Sequence, residues 1–581
     1  MIACSSSTNP NLNEDGGSKA SSDATTDARI DAKAKDASEK DAFEDAGKDA
    51  ADSAPEDAGD ASQKGAPSLT DLSVLAEAVT DASPQILVVP AFSPEIHDYY
   101  VRCAAGTNAL TVSMTASSGS DTLLVQPTAS PSLPKQTRNV GVLENQALVV
   151  AATDGIATTE YWVRCLPHDF PFLEMTAHAE AGAPPPGYYL VGNLLTAVSG
   201  GYAIVLNGEG VPVWYHRSPT GLGAIDVDNV VSGALSFMPY AATKVESFEI
   251  HQLSPLVTTL VAPAGVATDP HELRVLPNGD YLVLSYPLKS GVDLTGLNIT
   301  LAGDGGVEAL GPNSTIQDCE VVEFSPAGTV VSTWLASDHF NPAAVSTLPL
   351  TGFGAGATLP DGGPVYDVFH CNSVDVDPAN GNFLISAREM DSIFYVDHAS
   401  GEVVWKMGGL NASLDGAAFV SVADPFFRQH DARLQLGWSS TCSGGKGQIS
   451  LFDDESAPGP AGPARAVLYD VVVGGGDAGI GDCDGGAAVD GGAPGTATLA
   501  WQYRGLVRTA ATGSFRISAD GSCVIGWGLG GTPDLAFTEV DIHGNDLLDF
   551  KFTDGNSTYR AIKVPLAAFD LGVLRSTAGL P

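Results

Sequence analysis

A chain of 581 residues exceeds what one ordinary core accommodates, so two or more domains are expected. Its formal net charge of −41 argues against nucleic acid or an anionic membrane surface as a partner. No apolar run reaches the roughly 18 residues a membrane-spanning helix needs, and 65 Gly with 37 Pro mark a turn-rich, all-β chain.

The start, MIACSSSTNP, resembles the end of a bacterial lipoprotein signal with Cys4 as the lipidated residue, although the charged and most of the apolar portions of such a signal are missing. Export follows from that reading, to the periplasm, the outer membrane as a lipoprotein, or the cell surface. Residues 1–68 are Ala, Asp, Ser, Lys and Gly with almost no large apolar side chain. They cannot bury enough surface to offset their ordering entropy, and read as a solvated tether.

Between 69 and 172 the texture changes to short β-branched and aromatic runs separated by Gly, Pro, Asn and Asp, the pattern of a small β-sandwich. YYVRC, ending at Cys103, and YWVRC, ending at Cys165, are near-copies and candidates for a disulfide in an oxidising compartment. Cys319, Cys371, Cys442, Cys483 and Cys523 form an odd set. One free thiol is therefore expected, with the pairing open and no CxxC to indicate a zinc site. The segment also resembles the cadherin-like sandwich modules of bacterial surface proteins.

From 185 to 581 two hairpin units alternate. One reads strand, Asn/Asp/Gly turn, strand ending in Trp or Tyr, as in YAIVLNGEGVPVWYHR and IFYVDHASGEVVWKMGG. The other turns on NG or DG, as in HELRVLPNGDYLVLSY and GSFRISADGSCVIGWG. Two hairpins make a four-stranded sheet, and about six such sheets fit, which predicts a six-bladed β-propeller, with five or seven as alternatives. A Gly/Asp/Ala-rich insertion near 474–495 interrupts the repeats. It could hold calcium weakly, but its DGG steps lack EF-hand spacing.

His271, His370 and His430 open the same repeat position in three successive units, and Arg388 closes the hairpin that His370 begins. In a propeller such positions converge at one mouth of the central channel. Any one of these histidines alone reads as a turn or packing residue; three in register with an arginine read as a site. A zinc set is the rival reading. Arg388 among the histidines would repel a cation and suits a tetrahedral oxyanion better. In FRQHDARL, Gln429 and Asp431 are expected to fix the tautomer of His430.

PHELRVLPNGDYLVLSY, FHCNSVDVD, GNFLISAREMDSIFYVDHASGEVVWKMGG, RQHDARL and the late YRAIKV together resemble the arylsulfotransferase family. That resemblance spans roughly 185–565. It implies a six-bladed propeller after a β-sandwich, and PAPS-independent transfer of a sulfuryl group from an aryl sulfate ester to a phenol, with neither PAPS nor a metal. By motif, His430 is the transiently sulfated histidine. His271, His370 and Arg388 bind the sulfuryl oxygens and assist proton movement, with Asn372 in the substrate-binding set. Glu272 stands where many relatives carry Asp. Phe369, Tyr286, Phe426 and Phe427 are the residues considered for apolar pocket walls, against core packing as the plainer role. A non-catalytic extracellular binding propeller and an aryl sulfate hydrolase remain the rival functions. The oligomeric state, the natural donor and the acceptor are not legible.

Overall fold

The computed structural model describes residues 66–580 apart from 77–87, 195–198, 220, 241–246, 301–305, 352–358, 360–361, 442–443, 457–461, 475–494 and 532. Cys4, nearly all of the tether, and the insertion apart from its first and last residues lie outside the described residues. The fold is all-β.

Two sheets build the first module. Leu69–Ala76, Thr107–Ala116 and Lys135–Leu143 form one, and Asp98–Arg102, Thr158–Leu166, Ala147–Thr153 and Asp121–Gln126 the other. Both contribute to one apolar core that includes Leu72, Val112, Met114, Val150 and Tyr161. The expected Cys103–Cys165 bridge is present. It ties two strands that already run parallel, with Val101 opposite Cys165.

Among the described residues six antiparallel four-strand runs follow, three of them separate sheets, two joined within a ten-stranded sheet and one extended to five strands. The first takes Tyr188–Gly192, Tyr202–Leu206 and Pro212–Arg217 from one part of the chain and Ala561–Val564 from much later. The second is Ala224–Asp228, Ala234–Pro239, Phe248–Leu253 and Leu256–Val261, and the third Leu273–Val275, Tyr281–Ser285, Glu320–Phe324 and Val330–Leu335. The fourth is Cys371–Val376, Phe383–Ala387, Ser392–Val396 and Val403–Met407, and the fifth His430–Leu434, Gly444–Asp453, Arg465–Val473 and Gly495–Arg504. The sixth, Ser514–Ile517, Cys523–Gly526, Phe537–Val540 and Asp546–Phe552, gains a fifth strand from Leu173–Ala177. Ala418–Val422 runs parallel to strands of the fourth and fifth sheets and joins them.

The hairpins close where the sequence places Gly at a position needing φ > 0. Gly279 of PNGD sits at φ 89 and Gly401 of ASGE at φ 78. Burial falls across a sheet. In the second, Ala224–Asp228 is wholly buried, while Leu256–Val261 is exposed except at Val261. Middle strands such as Phe383–Ala387 are buried at every residue, so both of their faces are covered.

One sheet was not anticipated. Leu288–Val292 and Ser314–Gln317, from the connection inside the third unit, and Tyr366–Asp367 and Leu350–Thr351, from the connection between the third and fourth, form a further four-stranded sheet. A second disulfide, Cys319–Cys371, anchors this region beside His370. It resolves part of the pairing the sequence left open. Cys523 is a free thiol, buried, and burial pushes it up to about 12, which leaves it unreactive near neutral pH.

Replacing Cys319 and Cys371 together with serine is expected to lower the unfolding free energy by about 2–4 kcal/mol in denaturant titrations. No loss would mean that the neighbouring sheets alone hold this region.

Candidate active site

Strands of the third, fourth and fifth sheets bring three histidines and an arginine into one buried cluster. His271 lies two residues before Leu273–Val275, His370 immediately before Cys371–Val376, and His430 begins His430–Leu434. Arg388 follows Phe383–Ala387 and opens a short 3-10 turn, Arg388–Met390. All four are buried, and His430 is 1% exposed.

The local backbone is strained in a repeated manner. Asp226, His370, Asp431 and Thr512 have left-handed φ of 52°, 49°, 56° and 66°. Three of these coincide with irregularities in strand register, between Ile225 and Asp228, just after His370 between Cys371 and Ser373, and between His430 and Arg433. A bulge re-aims a side chain out of the ladder, and a non-glycine residue in this region costs on the order of 1–3 kcal/mol. Such strain persists only where surrounding contacts enforce it.

Each histidine is backed by a carboxylate. His271 Nδ1 lies 2.5 Å from Asp269 Oδ1, and His370 Nδ1 lies 2.5 Å from Asp367 Oδ2. His430 Nδ1 lies 3.1 Å from the Arg428 carbonyl and 3.1 Å from Asp454 Oδ2. With a carbonyl as its hydrogen-bond partner, Nδ1 of His430 carries the proton and Nε2 the lone pair, which accepts a 3.2 Å bond from the Thr512 amide. The His271 and His370 rings meet edge to face at 5.3 Å between centroids. Arg388 donates through Nη1 to Glu389 and through Nη2 to the Ala510 carbonyl at 3.1 Å.

Burial lowers His430 well below its ordinary value, and the charges of Arg388, His271 and Arg560 push the same way. Burial likewise lowers His370 well below, with His271 and Arg388 adding to it and Glu389 opposing. Both imidazoles are therefore neutral near pH 7. Burial raises Asp367 to about 7 against the pull of Arg388, and raises Asp454 and Glu389 as well.

A layer of buried charge lies next to the histidines in sequence. Asp226 meets Arg560 at 2.6 Å, Arg560 meets Glu272 at 3.0 Å, and Glu272 meets Arg433 at 2.6 Å. Arg433 and Arg516 each reach Asp431 at 2.7 Å. Despite the opposing effect of burial, the guanidinium groups of Arg516, Arg433 and Arg560 hold Asp431 well below the carboxylate range.

Several residues expected at the site have other work. Gln429 and Asp431 do not orient His430. The Gln429 amide donates to Ser386 and to the carbonyls of Ala387 and Ser392, while Asp431 is committed to arginines. The Arg428 carbonyl holds the ring instead, with Asp454 close by but not hydrogen-bonded to it. Asn372 spends its amide on the Gln429 carbonyl at 2.7 Å, locking the fourth leading strand to the fifth. Phe369 is wholly buried in an apolar core with Ile316 and Phe340, and Phe426 packs in another with Trp405 and Tyr469. Phe427 is half-buried, with its amide on Asp453. Tyr286 does adjoin the site, 6.2 Å from His271 and 6.1 Å from His370 between ring centroids. Its hydroxyl is bound to the Cys371 carbonyl, so the ring is what it offers.

Sequence reasoning missed Asp269, Asp367, Asp454, Thr512 and Arg560. The first two lie two and three residues ahead of their histidines and were within reach of a local reading. Thr512 and Asp454 act across sheets and left no local signal.

Residues 267–471 match the model of the arylsulfotransferase (ASST) family. The matched span holds His271, His370, Arg388 and His430, and stops before Thr512 and Arg560. No curated protein matches the chain. Among solved structures, a protein of unknown function from Bacteroides caccae covers 65% of this chain and 99% of its own at 12% identity and TM-score 0.35. A putative 6-phosphogluconolactonase from Bacteroides fragilis covers 77% and 98% at 9% identity and TM-score 0.28. A quinonprotein alcohol dehydrogenase-like protein from Bacteroides thetaiotaomicron covers 82% and 98% at 10% identity and TM-score 0.27.

Asp431→Asn is expected to destabilise the protein by about 3–5 kcal/mol in denaturant unfolding, because it removes the buried carboxylate shared by Arg433 and Arg516. A loss below about 1 kcal/mol would show that water or rearrangement compensates the layer.

Proposed function

We propose that the six repeat sheets close as a six-bladed propeller and that the cluster at their leading strands transfers a sulfuryl group from an aryl sulfate ester to a phenol without PAPS. The observation that carries this reading is the set of three carboxylate-backed imidazoles around Arg388, within the span matching the arylsulfotransferase family. The two disulfides fit an exported protein, as the sequence reading expects.

In this mechanism the bond from the Thr512 amide yields and His430 Nε2 attacks sulfur. The S–O bond to the aryl group breaks, and its electron pair leaves on the phenolate. His271, whose Nδ1 faces Asp269, gives that oxygen a proton. Sulfohistidine then meets an acceptor phenol. The phenol returns a proton to His271, its oxygen attacks sulfur, and the N–S bond breaks to restore His430. Arg388 stabilises charge on the sulfuryl oxygens as the S–O bond lengthens. His370, held neutral, accepts or positions rather than acting as an acid. A covalent intermediate gives ping-pong kinetics.

A cation is less well served here. Asp367, His370 and Glu389 offer ligand atoms within 4.8 Å of one another. Asp367 is engaged by His370, however, and Glu389 by Arg388, whose charge opposes a metal.

Chromogenic phenyl sulfate incubated with and without phenol tests the proposal. Phenol-dependent chromophore release is expected, falling by at least about 1,000-fold in His430→Ala, as for loss of a covalent nucleophile. Release that ignores phenol would mean a hydrolase, and no release over a range of donors would favour a binding propeller. Because His430 is held neutral, the acid limb of kcat/KM should fall below pH 6.5, the ordinary histidine value. An acid limb at or above that value would contradict the assignment of His430 as the nucleophile.

A further inference from the structure

A second histidine cluster lies outside this site. His216 is on Pro212–Arg217, the outermost strand of the first sheet; Glu249 and His251 are two residues apart on Phe248–Leu253 of the second, so their side chains share a face. One nitrogen from each imidazole and one Glu249 oxygen all lie within 4.8 Å of one another. The rings of His216 and His251 are 4.4 Å apart between centroids. Two ligand atoms on a tetrahedral zinc ion stand roughly 3.4 Å apart, given bonds of about 2.1 Å. Small rotamer shifts would therefore complete the set.

The outer contacts are those a metal site needs. His216 Nδ1 bonds to the Leu580 carbonyl at 3.2 Å. A carbonyl only accepts, so Nδ1 holds the proton and Nε2 is the ligand nitrogen. His251 Nδ1 meets Thr258 Oγ1 at 3.1 Å, while its Nε2 lies 2.8 Å from Glu249 Oε2. The threonine hydroxyl can donate or accept, so it supports either tautomer. When a metal takes Nε2, the proton moves to Nδ1 and points at Thr258. Phe237 stacks on His251 at 5.0 Å, fixing the ring. The His251 side chain is 3% exposed and that of Glu249 12%. Among the described residues, Glu249 pairs with His251 and with no Arg or Lys, in contrast to the catalytic cluster and its Arg388.

We propose that His216, Glu249 and His251 bind one divalent ion of the zinc class, with water as the fourth ligand. The ion bridges the first and second sheets and, through Leu580, holds the segment that follows the helix Leu571–Thr577. Nothing in this proposal depends on sulfuryl transfer.

The full chain, stripped with a chelator and dialysed, is titrated with zinc chloride by calorimetry and by thermal unfolding. One saturable equivalent and a zinc-dependent rise in Tm are expected. His216→Ala and Glu249→Gln should each weaken binding by at least roughly 100-fold and abolish the Tm rise, whereas His370→Ala should retain both. The zinc-free Tm of each variant establishes that it folds. X-ray absorption of the zinc-loaded wild type should show two imidazoles. Absence of a saturable site, unchanged binding in both His216→Ala and Glu249→Gln, or loss of binding in His370→Ala alone would overturn the proposal.

Discussion

The structure depends on a balanced layer of buried charge. Asp226, Glu272 and Asp431 face Arg433, Arg516 and Arg560, three acids against three bases, all buried except the partly exposed Arg516. Removing any member leaves an uncompensated buried charge, which costs far more than an exposed pair is worth. These residues lie on, or next to, the leading strands of the first, second, third, fifth and sixth sheets. The fourth is drawn in through backbone oxygens: Arg560 donates to the Asn372 carbonyl and Arg433 to that of Val374. These contacts link strands of all six sheets in one network.

That constraint explains how the histidines are held. His271 precedes Glu272 and His430 precedes Asp431, so one residue of each pair enters the ionic layer while its neighbour is aimed at the site. A regular strand would turn adjacent side chains to opposite faces of its sheet. The left-handed Asp431 and the register break around it re-aim them. The five bonds and ion pairs that Asp431 makes with Arg433, Arg516 and the Phe515 amide hold this conformation against its backbone cost. Positioning of the site and stability of the fold thus draw on the same contacts.

Much of this was legible in the chain. Gly279 and Gly401 mark their hairpins because no other residue takes φ > 0 so cheaply, and strand periodicity gave the four-stranded sheets. The register of His271, His370 and His430 with Arg388 was visible because repetition turns a spacing into a place in space. The orienting partners were not. Nothing around FRQHDARL discloses that Asp454, across the sheet, stands beside the His430 ring or that Thr512, from the next sheet, bonds to it. Phe369 and Phe426 lie near His370 and His430 in sequence, and both take the plainer role of filling cores. The sheet containing Tyr366–Asp367 escaped because its strands are two to five residues long and belong to no repeat.

The same burial governs how protons are distributed. An exposed histidine beside an aspartate would become an ion pair; here burial drives His370 down and Asp367 up to about 7. Asp454 behind His430 is raised in the same way. Burial thus moves the proton affinity of these carboxylates upward and that of the imidazoles downward. A chain of net charge −41 would repel an anionic ester if its site carried full carboxylate charge. Burial raises those carboxylates and lowers His430, which reduces the negative charge around Arg388 and leaves His430 neutral near pH 7.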